Sequence, residues 1–411
     1  MTSHPAPDFP GPRRLHAVLL NGVGDAARLL DPLARALDGS GPAILPLDAS
    51  LPAARIRQLI DAFQPNAVIG TDGEARTRSV PVQTAPDTAV IIGTSGSTGE
   101  PKGVELSAAA LTHSARASLA RAGARPGERW LACLPVSHVA GLQVLVRSLV
   151  SGTEPVVAAE ATAAAVGEAA DAGCAHVSIV PTQLIRLLSA GQGSALARYR
   201  SVLVGGAAAG ARVLGEARAA GVNILTTYGM SETCGGCVYD GVPLDGVTVR
   251  EGGDGRLRIS GPVLMNRYHG RPELTAAVLV NTGLVDKEFV TSDLGYVGDD
   301  NRVVIRGRAD DVINSGGHKV VPGEVAAALA ACPGVREVVV VGRPDPEWGE
   351  RVTAVVVPAD PSEPPTVELL RTHVSARLPR YACPSEVVLT EAIPMLPSGK
   401  PDLAALRVAR T

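Results

Sequence analysis

The sequence predicts an α/β fold: a large N-terminal domain of parallel βαβ-type sheets with a small barrel-like part, then a small α+β C-terminal domain. Three observations carry this. Short apolar runs alternate with helical stretches from residue 15 to residue 226. A turn-rich region with short alternating strands follows, and after Arg308 the pattern restarts on a smaller scale.

Residues 1–14, rich in Pro and polar side chains, read as a disordered terminus. Between 15 and 92 the apolar runs Ala43–Pro46 and Ala67–Gly70 alternate with helical stretches Asp25–Leu37 and Ala53–Ala62. The β-branched run Thr88–Ile92 reads as a strand, 107–122 as a helix, Trp130–Leu134 as a strand and 139–150 as an amphipathic helix. Helical Ala158–Ala172, strand 175–180, helix 183–189 and strands 201–204 and 222–226 continue the alternation. Strands separated by helices imply parallel pairing. Gly246–Ser260 and Val303–Arg306 look antiparallel or barrel-like. Beyond Arg308, the segment Val312–Ser315, a helix start at Pro322-Gly323-Glu324, β runs Glu337–Gly342 and Val352–Val357, and helix 366–378 make a domain of about a hundred residues. The boundaries are therefore 15–308 and 309–411. The charged link Gly307-Arg308-Ala309-Asp310-Asp311 suits an ordinary turn or a hinge.

At 411 residues there is room for two or three cores, and with 3% aromatics the packing falls to Ala, Val, Gly and Leu. A net charge of −3 without a basic stripe argues against a nucleic-acid partner. The best membrane candidate, Leu134–Val150, contains His138, Gln143 and Arg147, so no membrane span is expected. Arg13-Arg14 precede only Leu15–Leu20, without a small-residue cleavage site, so the expectation is a cytoplasmic protein without a signal peptide. Of six cysteines, only Cys234-Gly-Gly-Cys237 has ligand spacing, and no second Cys/His pair stands at zinc-site distance. A redox dithiol or two thiols kept reduced both fit, and the plainer second reading is preferred.

The chemistry starts at Gly93-Thr94-Ser95-Gly96-Ser97-Thr98-Gly99-Glu100-Pro101-Lys102-Gly103. Glycines let the backbone approach an anion, while hydroxyls, loop N–H groups and an ammonium are donors: a phosphate cradle, against the alternative of a flexible surface connection. Pro101 before Lys102 and Gly103 after it exclude a Walker A loop. Five motifs follow in order: Tyr228-Gly-Met-Ser-Glu-Thr233, Gly261-Pro-Val-Leu-Met-Asn-Arg-Tyr268, Thr291-Ser-Asp-Leu-Gly295, Gly307 to Gly317, and Pro397-Ser-Gly-Lys400. Singly, Ser231-Glu232 is a helix-start pair, Asp293-Leu-Gly a turn, Gly205-Gly206 a close strand–helix contact and Lys400 a solvated lysine.

Together with the loop, the order and spacing of these motifs over residues 88–405 resemble the adenylate-forming superfamily of acyl-CoA synthetases, peptide-synthetase adenylation domains and luciferases. The resemblance implies ATP, Mg²⁺ and coenzyme A as cofactors and co-substrates, a carboxylic acid as substrate, and a mobile C-terminal domain; homodimers are common among such proteins. It assigns Thr94, Ser95, Gly96, Ser97, Thr98, Gly99 and Lys102 to pyrophosphate. Glu232 would hold Mg²⁺ with Ser231, a serine where the family usually has threonine, donating to the phosphates. Asp293 and Arg308 would contact ribose; Gly205, Gly206, Ala207, Tyr228 and Gly229 would lie along adenine. Lys400 would bridge carboxylate and phosphate as they react, Asp310 would be the hinge, and Gly316-Gly317 would line the thiol tunnel.

His138 matches a ring beside the acyl pocket, which Gly206 also borders; as a residue alone it reads equally as a satisfied helix-start histidine. Arg147, nine residues on, is either a snorkelling surface residue or, turned inward, a carboxylate anchor. The His-to-Arg spacing resembles the o-succinylbenzoate–CoA ligases of menaquinone biosynthesis, whose acid carries a second, unactivated carboxylate. The alternatives are another aromatic or dicarboxylic acid–CoA ligase, an adenylation domain loading a carrier protein, and a non-catalytic nucleotide binder; the last is disfavoured because Glu232, Asp293, Arg308 and Lys400 are all present.

Overall fold

The structure is a computed structural model that describes residues 12–79, 84–95, 100–281, 283, 287–396 and 400–408. Its contacts divide the chain into two compact units. The first holds the residues up to Gly206 with Ala217–Thr248 and Ile259–Phe289; the second holds Ala207–Glu216, Val249–Arg258 and the chain from Val290 onward.

The first unit carries two seven-stranded sheets. Strands β1 (Leu15–Leu20), β2 (Ala43–Asp48), β3 (Ala67–Ile69), β4 (Ala75–Thr77), β5 (Thr88–Ser95) and β6 (Pro101–Ser107) build one, with helices α1 (Leu30–Asp38) and α2 (Ala53–Phe63) between them. Its middle is parallel, β5-β2-β1-β3, as the strand–helix alternation predicts, and its edges turn antiparallel: β4 on β3, β6 on β5, and Arg267–Tyr268 on β6. Helix α3 (Ala108–Arg121), capped by the Ser107 hydroxyl on Ala110 N, leads to the second sheet. That sheet contains β7 (Arg129–Ala132), β8 (Val156–Val157), β9 (Cys174–Ile179), β10 (Ser201–Val204), β11 (Ile224–Met230), β12 (Gly235–Tyr239) and β13 (Val242–Pro243). Helix α4 (Val139–Val150) crosses between β7 and β8. Parallel order runs β11-β10-β9-β7-β8, and β12 and β13 close one edge antiparallel. Leu15, Ala17, Leu45, Leu47, Leu59, Phe63 and Ile91 fill the space between the first sheet and its helices. Burying each large side chain stabilises by about 2 kcal/mol.

In the second unit Asp293–Val297, the end of the strand Glu288–Val297, pairs antiparallel with Val303–Arg308, and Val335–Asp345 forms a long hairpin with Gly349–Pro358. Helices Pro322–Ala330 and Val367–Ser375 cover that hairpin through Val325, Leu329, Leu370 and Val374.

Two boundaries differ from those read in the sequence. Residues 12–14 are not a loose terminus. Arg13 is buried, and its guanidinium donates to Ala36 O (2.8 Å), Thr88 O (3.0 Å) and Gly41 O, tying the entry of the chain to the end of α1 and the start of β5. Residues 1–11 lie outside the described residues. The contact division falls after Phe289 rather than after Arg308, because strand pairing keeps Val290–Val297 with Val303–Arg308.

Candidate active site

The glycine- and hydroxyl-rich loop is a hairpin connection. β5 returns as β6, with Gly93 opposite Gly103 and Thr94 opposite Lys102. The Thr94 hydroxyl donates to Lys102 O at 3.3 Å. Gly96, Ser97, Thr98 and Gly99 lie outside the described residues, and Ser95 is described only in its backbone. Arg267–Tyr268 pairs beside β6, which sets the Tyr268 ring 5.5 Å below the Lys102 ammonium. The Tyr268 phenol donates to Glu232 Oε1 at 2.8 Å. Burial first, and then the Glu232 carboxylate, push the Tyr268 pKa up, so the phenol keeps the proton it donates. The structure thus brings Lys102 and Glu232 to one place through a tyrosine to which the sequence reading gave no role.

Glu232 sits in a single 3-10 turn, Ser231–Thr233. The Thr233 hydroxyl accepts from Met230 N (3.0 Å) and donates to Gly235 O (2.8 Å), while Glu232 O accepts from Met265 N (2.8 Å). The turn is therefore fixed from both sides. Among the described residues there is no group of three or more His, Cys, Asp or Glu that could hold a metal. A carboxylate braced by a phenol suits a hard cation such as Mg²⁺, which takes one or two carboxylates and completes its shell with phosphate oxygens and water.

Behind the hairpin, Glu105 of β6 is fully buried. It accepts from Thr88 Oγ1 (2.9 Å) and Ala85 N (3.0 Å), and lies 2.7 Å from His269 Nδ1 and 3.1 Å from Arg267 Nε. Burial raises its pKa, but the bonds from His269 and Ala85 N and the Arg267 charge outweigh that, and the carboxyl is held below its ordinary value.

Gly205 and Gly206 follow β10, and Tyr228 and Gly229 lie in β11 beside it, with Val204 opposite Thr226. These are the carboxyl ends of adjacent parallel strands, where open α/β sheets bind ligands. The glycines also have packing reasons: a Cβ on Gly205 would meet Thr227 Oγ1 at 2.1 Å, and one on Gly229 would meet Gly235 O at 2.0 Å. Gly206 has φ +86°. Ala207 falls in the second unit.

Helix α4 starts at His138, which is exposed at the N-cap with extended φ and ψ. Arg147, toward the helix end, is 4% exposed. The surface alternative is thereby set aside. Its Nη2 donates to Ser178 Oγ at 3.1 Å, and its guanidinium carbon lies 4.1 Å from the centroid of the Trp130 ring. Arg147 Nε has no hydrogen-bond partner, and no described carboxylate pairs with the side chain. The sequence reading missed Trp130 and Ser178. The signal available was their position on predicted neighbouring strands, which says nothing of a ring under a helix.

In the second unit the strands place Asp293 opposite Arg308. Arg308 lies 3.9 Å from Asp293, 3.4 Å from Asp310 and 4.0 Å from Asp311, and Asp311 also pairs with Arg407 at 3.0 Å. The two ribose candidates are neighbours, and the hinge candidate is among their ion pairs. Gly316 and Gly317, at φ +56° and +79°, form the two-residue turn joining Ile313–Ser315 to His318–Val320. A Cβ on Gly316 would also meet Trp348 Cε3 at 2.4 Å, so glycine is required there by the hairpin itself. Lys400 is exposed; its carbonyl accepts from Leu396 N at 2.8 Å beside a bridge between Met395 and Pro401. Pro397, Ser398 and Gly399 lie outside the described residues. Cys234 and Cys237, back in the first unit, are buried free thiols; burial pushes both up, Cys237 to about 12, which suits inert packing residues.

Two family models match the chain: "AMP-binding enzyme" over residues 71–269 and "AMP-binding enzyme C-terminal domain" over 324–400. A "Probable 2-succinylbenzoate--CoA ligase" of Mycobacterium tuberculosis is 40% identical over 398 residues, covering 93% of this chain and 96% of the relative. The o-succinylbenzoate coenzyme A synthetase of Bacillus subtilis, solved in complex with ATP and magnesium ion, superposes with a TM-score of 0.78 at 25% identity, over 96% of this chain and 89% of that one. ATP-bound MatB from Rhodopseudomonas palustris, at 24% identity over 97% of this chain and 88% of that one, shares the fold with a TM-score of 0.82. The chain belongs to the AMP-binding enzyme family, as an AMP-forming acid–CoA ligase.

Proposed function

We propose that this ATP-dependent ligase takes 2-succinylbenzoate as its acid, forming the acyl-adenylate and pyrophosphate and then the CoA thioester, a step of menaquinone biosynthesis. Arg147 carries the reading. A guanidinium 4% exposed, with no carboxylate of its own among the described residues, is costly to bury unless a ligand supplies the countercharge. A second carboxylate on the acid meets that need and pairs well with a guanidinium fork. The similarity to proteins named 2-succinylbenzoate–CoA ligase supports the same acid. No described helix is long and apolar enough to cross a membrane; the cytoplasm, where ATP and CoA are supplied, is the proposed location.

In this reading Lys102 and the loop hydroxyls hold the β- and γ-phosphates, and Glu232, braced by Tyr268, holds Mg²⁺ with Ser231 beside it. When bound, the cation neutralises phosphate charge. Asp293 and Arg308 take the ribose, and Gly205 to Ala207 with Tyr228 and Gly229 flank the adenine. His138 borders the activated carboxylate, and Lys400 supplies a positive charge where it develops on the reacting oxygens. The thiol then enters past Gly316-Gly317 after a turn about Asp310.

Pyrophosphate exchange driven by 2-succinylbenzoate and by 4-oxo-4-phenylbutanoate, which lacks the ring carboxylate, tests the acid. Arg147→Met is expected to lower kcat/KM for the diacid about a hundredfold, since removing one partner of a buried charge pair costs about 2–5 kcal/mol. The monoacid should change far less. If the diacid drives no exchange while another acid does, the substrate is wrong. Asp310→Pro should leave exchange intact and suppress thioester formation; unchanged thioester synthesis would reject the hinge.

A further inference from the structure

Arg147 is held by an arrangement that no described ion pair explains. Trp130 on β7 and His176 on β9 are in register on neighbouring parallel strands, and their rings stack with centroids 4.7 Å apart. Ser178 stands two residues after His176, on the same face of β9. Arg147 meets this face from α4, its guanidinium 4.1 Å from the Trp130 centroid and bonded to the Ser178 hydroxyl. Trp130 is fully buried in a chain with only two tryptophans, and its indole N–H has no partner, so hydrogen bonding does not account for a tryptophan here.

We propose that Trp130 and Ser178 are positioning residues for the acid: they fix the plane of the Arg147 guanidinium and thereby set the preference for a substrate with a second carboxylate. The inference rests on the proposed anchoring role of Arg147. An indole face attracts a cation most strongly among the aromatic side chains, and more so away from water. It holds the guanidinium without neutralising it, which a carboxylate in the same place would do. The ring beneath is kept neutral. Burial first lowers the His176 pKa, opposed by Glu128, which accepts at Nε2 (3.1 Å) and leaves Nδ1 to accept from the Ser201 hydroxyl (2.8 Å). A neutral imidazole adds no like charge beside Arg147. The phenol of Tyr239 interacts with the guanidinium as well, again without a full negative charge.

The experiment measures KM and kcat for 2-succinylbenzoate and 4-oxo-4-phenylbutanoate in pyrophosphate exchange, using the full chain with Trp130→Phe, Trp130→Leu, Ser178→Ala and Arg147→Met. Loss of the indole face should raise the diacid KM about tenfold in Trp130→Leu, with a smaller rise in Trp130→Phe, whose benzene face is a weaker cation partner. Ser178→Ala should raise it about tenfold by removing a hydrogen bond to a charged group. The diacid-to-monoacid ratio of kcat/KM should fall in step with KM, whereas a merely structural role would move both acids equally. If Trp130→Leu does not fold, Trp130→Phe and Ser178→Ala decide. An unchanged ratio in these variants, with Arg147→Met still abolishing the preference, overturns the positioning role alone. An unchanged ratio in Arg147→Met overturns the anchor and this inference with it.

Discussion

Replacing Lys400 by alanine is expected to lower acyl-adenylate formation by about two to three orders of magnitude, the loss that follows removal of one fixed donor aimed at transition-state charge. The residue is exposed, its carbonyl accepts from Leu396 N, and its side chain makes no ion pair among the described residues. Folding should therefore be untouched, and the melting temperature is the control. Thioester formation from preformed adenylate should proceed at nearly the normal rate, because the charge on the α-phosphate has by then been created. Measuring the two half-reactions separately decides the matter: equal loss in both would remove Lys400 from the chemical step.

Glu105→Ala is expected to destabilise the first unit by about 3 kcal/mol, because it leaves buried partners of a carboxylate without their acceptor. Thr88 Oγ1, Ala85 N and His269 all lose a bond at once. Thermal or urea unfolding reads the loss, and an unchanged midpoint would dismiss the network as a stabilising element. The pH dependence has a definite sign. The folded pKa of Glu105 lies below its ordinary value of 4.5, so its contribution is present above that value and is lost as pH falls through the folded pKa. Glu105→Gln should flatten the acid limb of the stability profile.

How much could be read from the chain varied with the range of the interaction concerned. Helix 139–150 and strand 201–204 were legible to the residue, since local periodicity and β-branching suffice for them. The return strand β6 was not: Pro101-Lys102-Gly103 carries loop residues, and only pairing with β5 and with Arg267–Tyr268 makes it a strand. For the same reason Asp293-Leu-Gly295 looked like a turn but lies within Glu288–Val297, where a register shift between Leu294 and Gly295 accommodates the glycine. Among the candidate site residues, Lys102 and Glu232 in the first unit and Asp293 and Arg308 in the second were named from motifs. Tyr268, Trp130 and Ser178 were not given roles, because theirs depend on which ring or hydroxyl a distant segment meets. Arg147 fell between: its type suggested a carboxylate, but its inward orientation became visible only with Trp130 and Ser178 around it.

The hairpin β5–β6 also constrains how this chain can vary in length. Lys102 and Glu105 are an odd number of residues apart on one strand, so they face opposite ways: the lysine over Tyr268, the glutamate into the buried cluster of His269. This opposition is set by the spacing within β6 itself. One residue added between Lys102 and Glu105 turns one of them to the wrong face, however conservative its chemistry. Indels in descendants of this sequence are thus not expected within the four positions Lys102–Glu105.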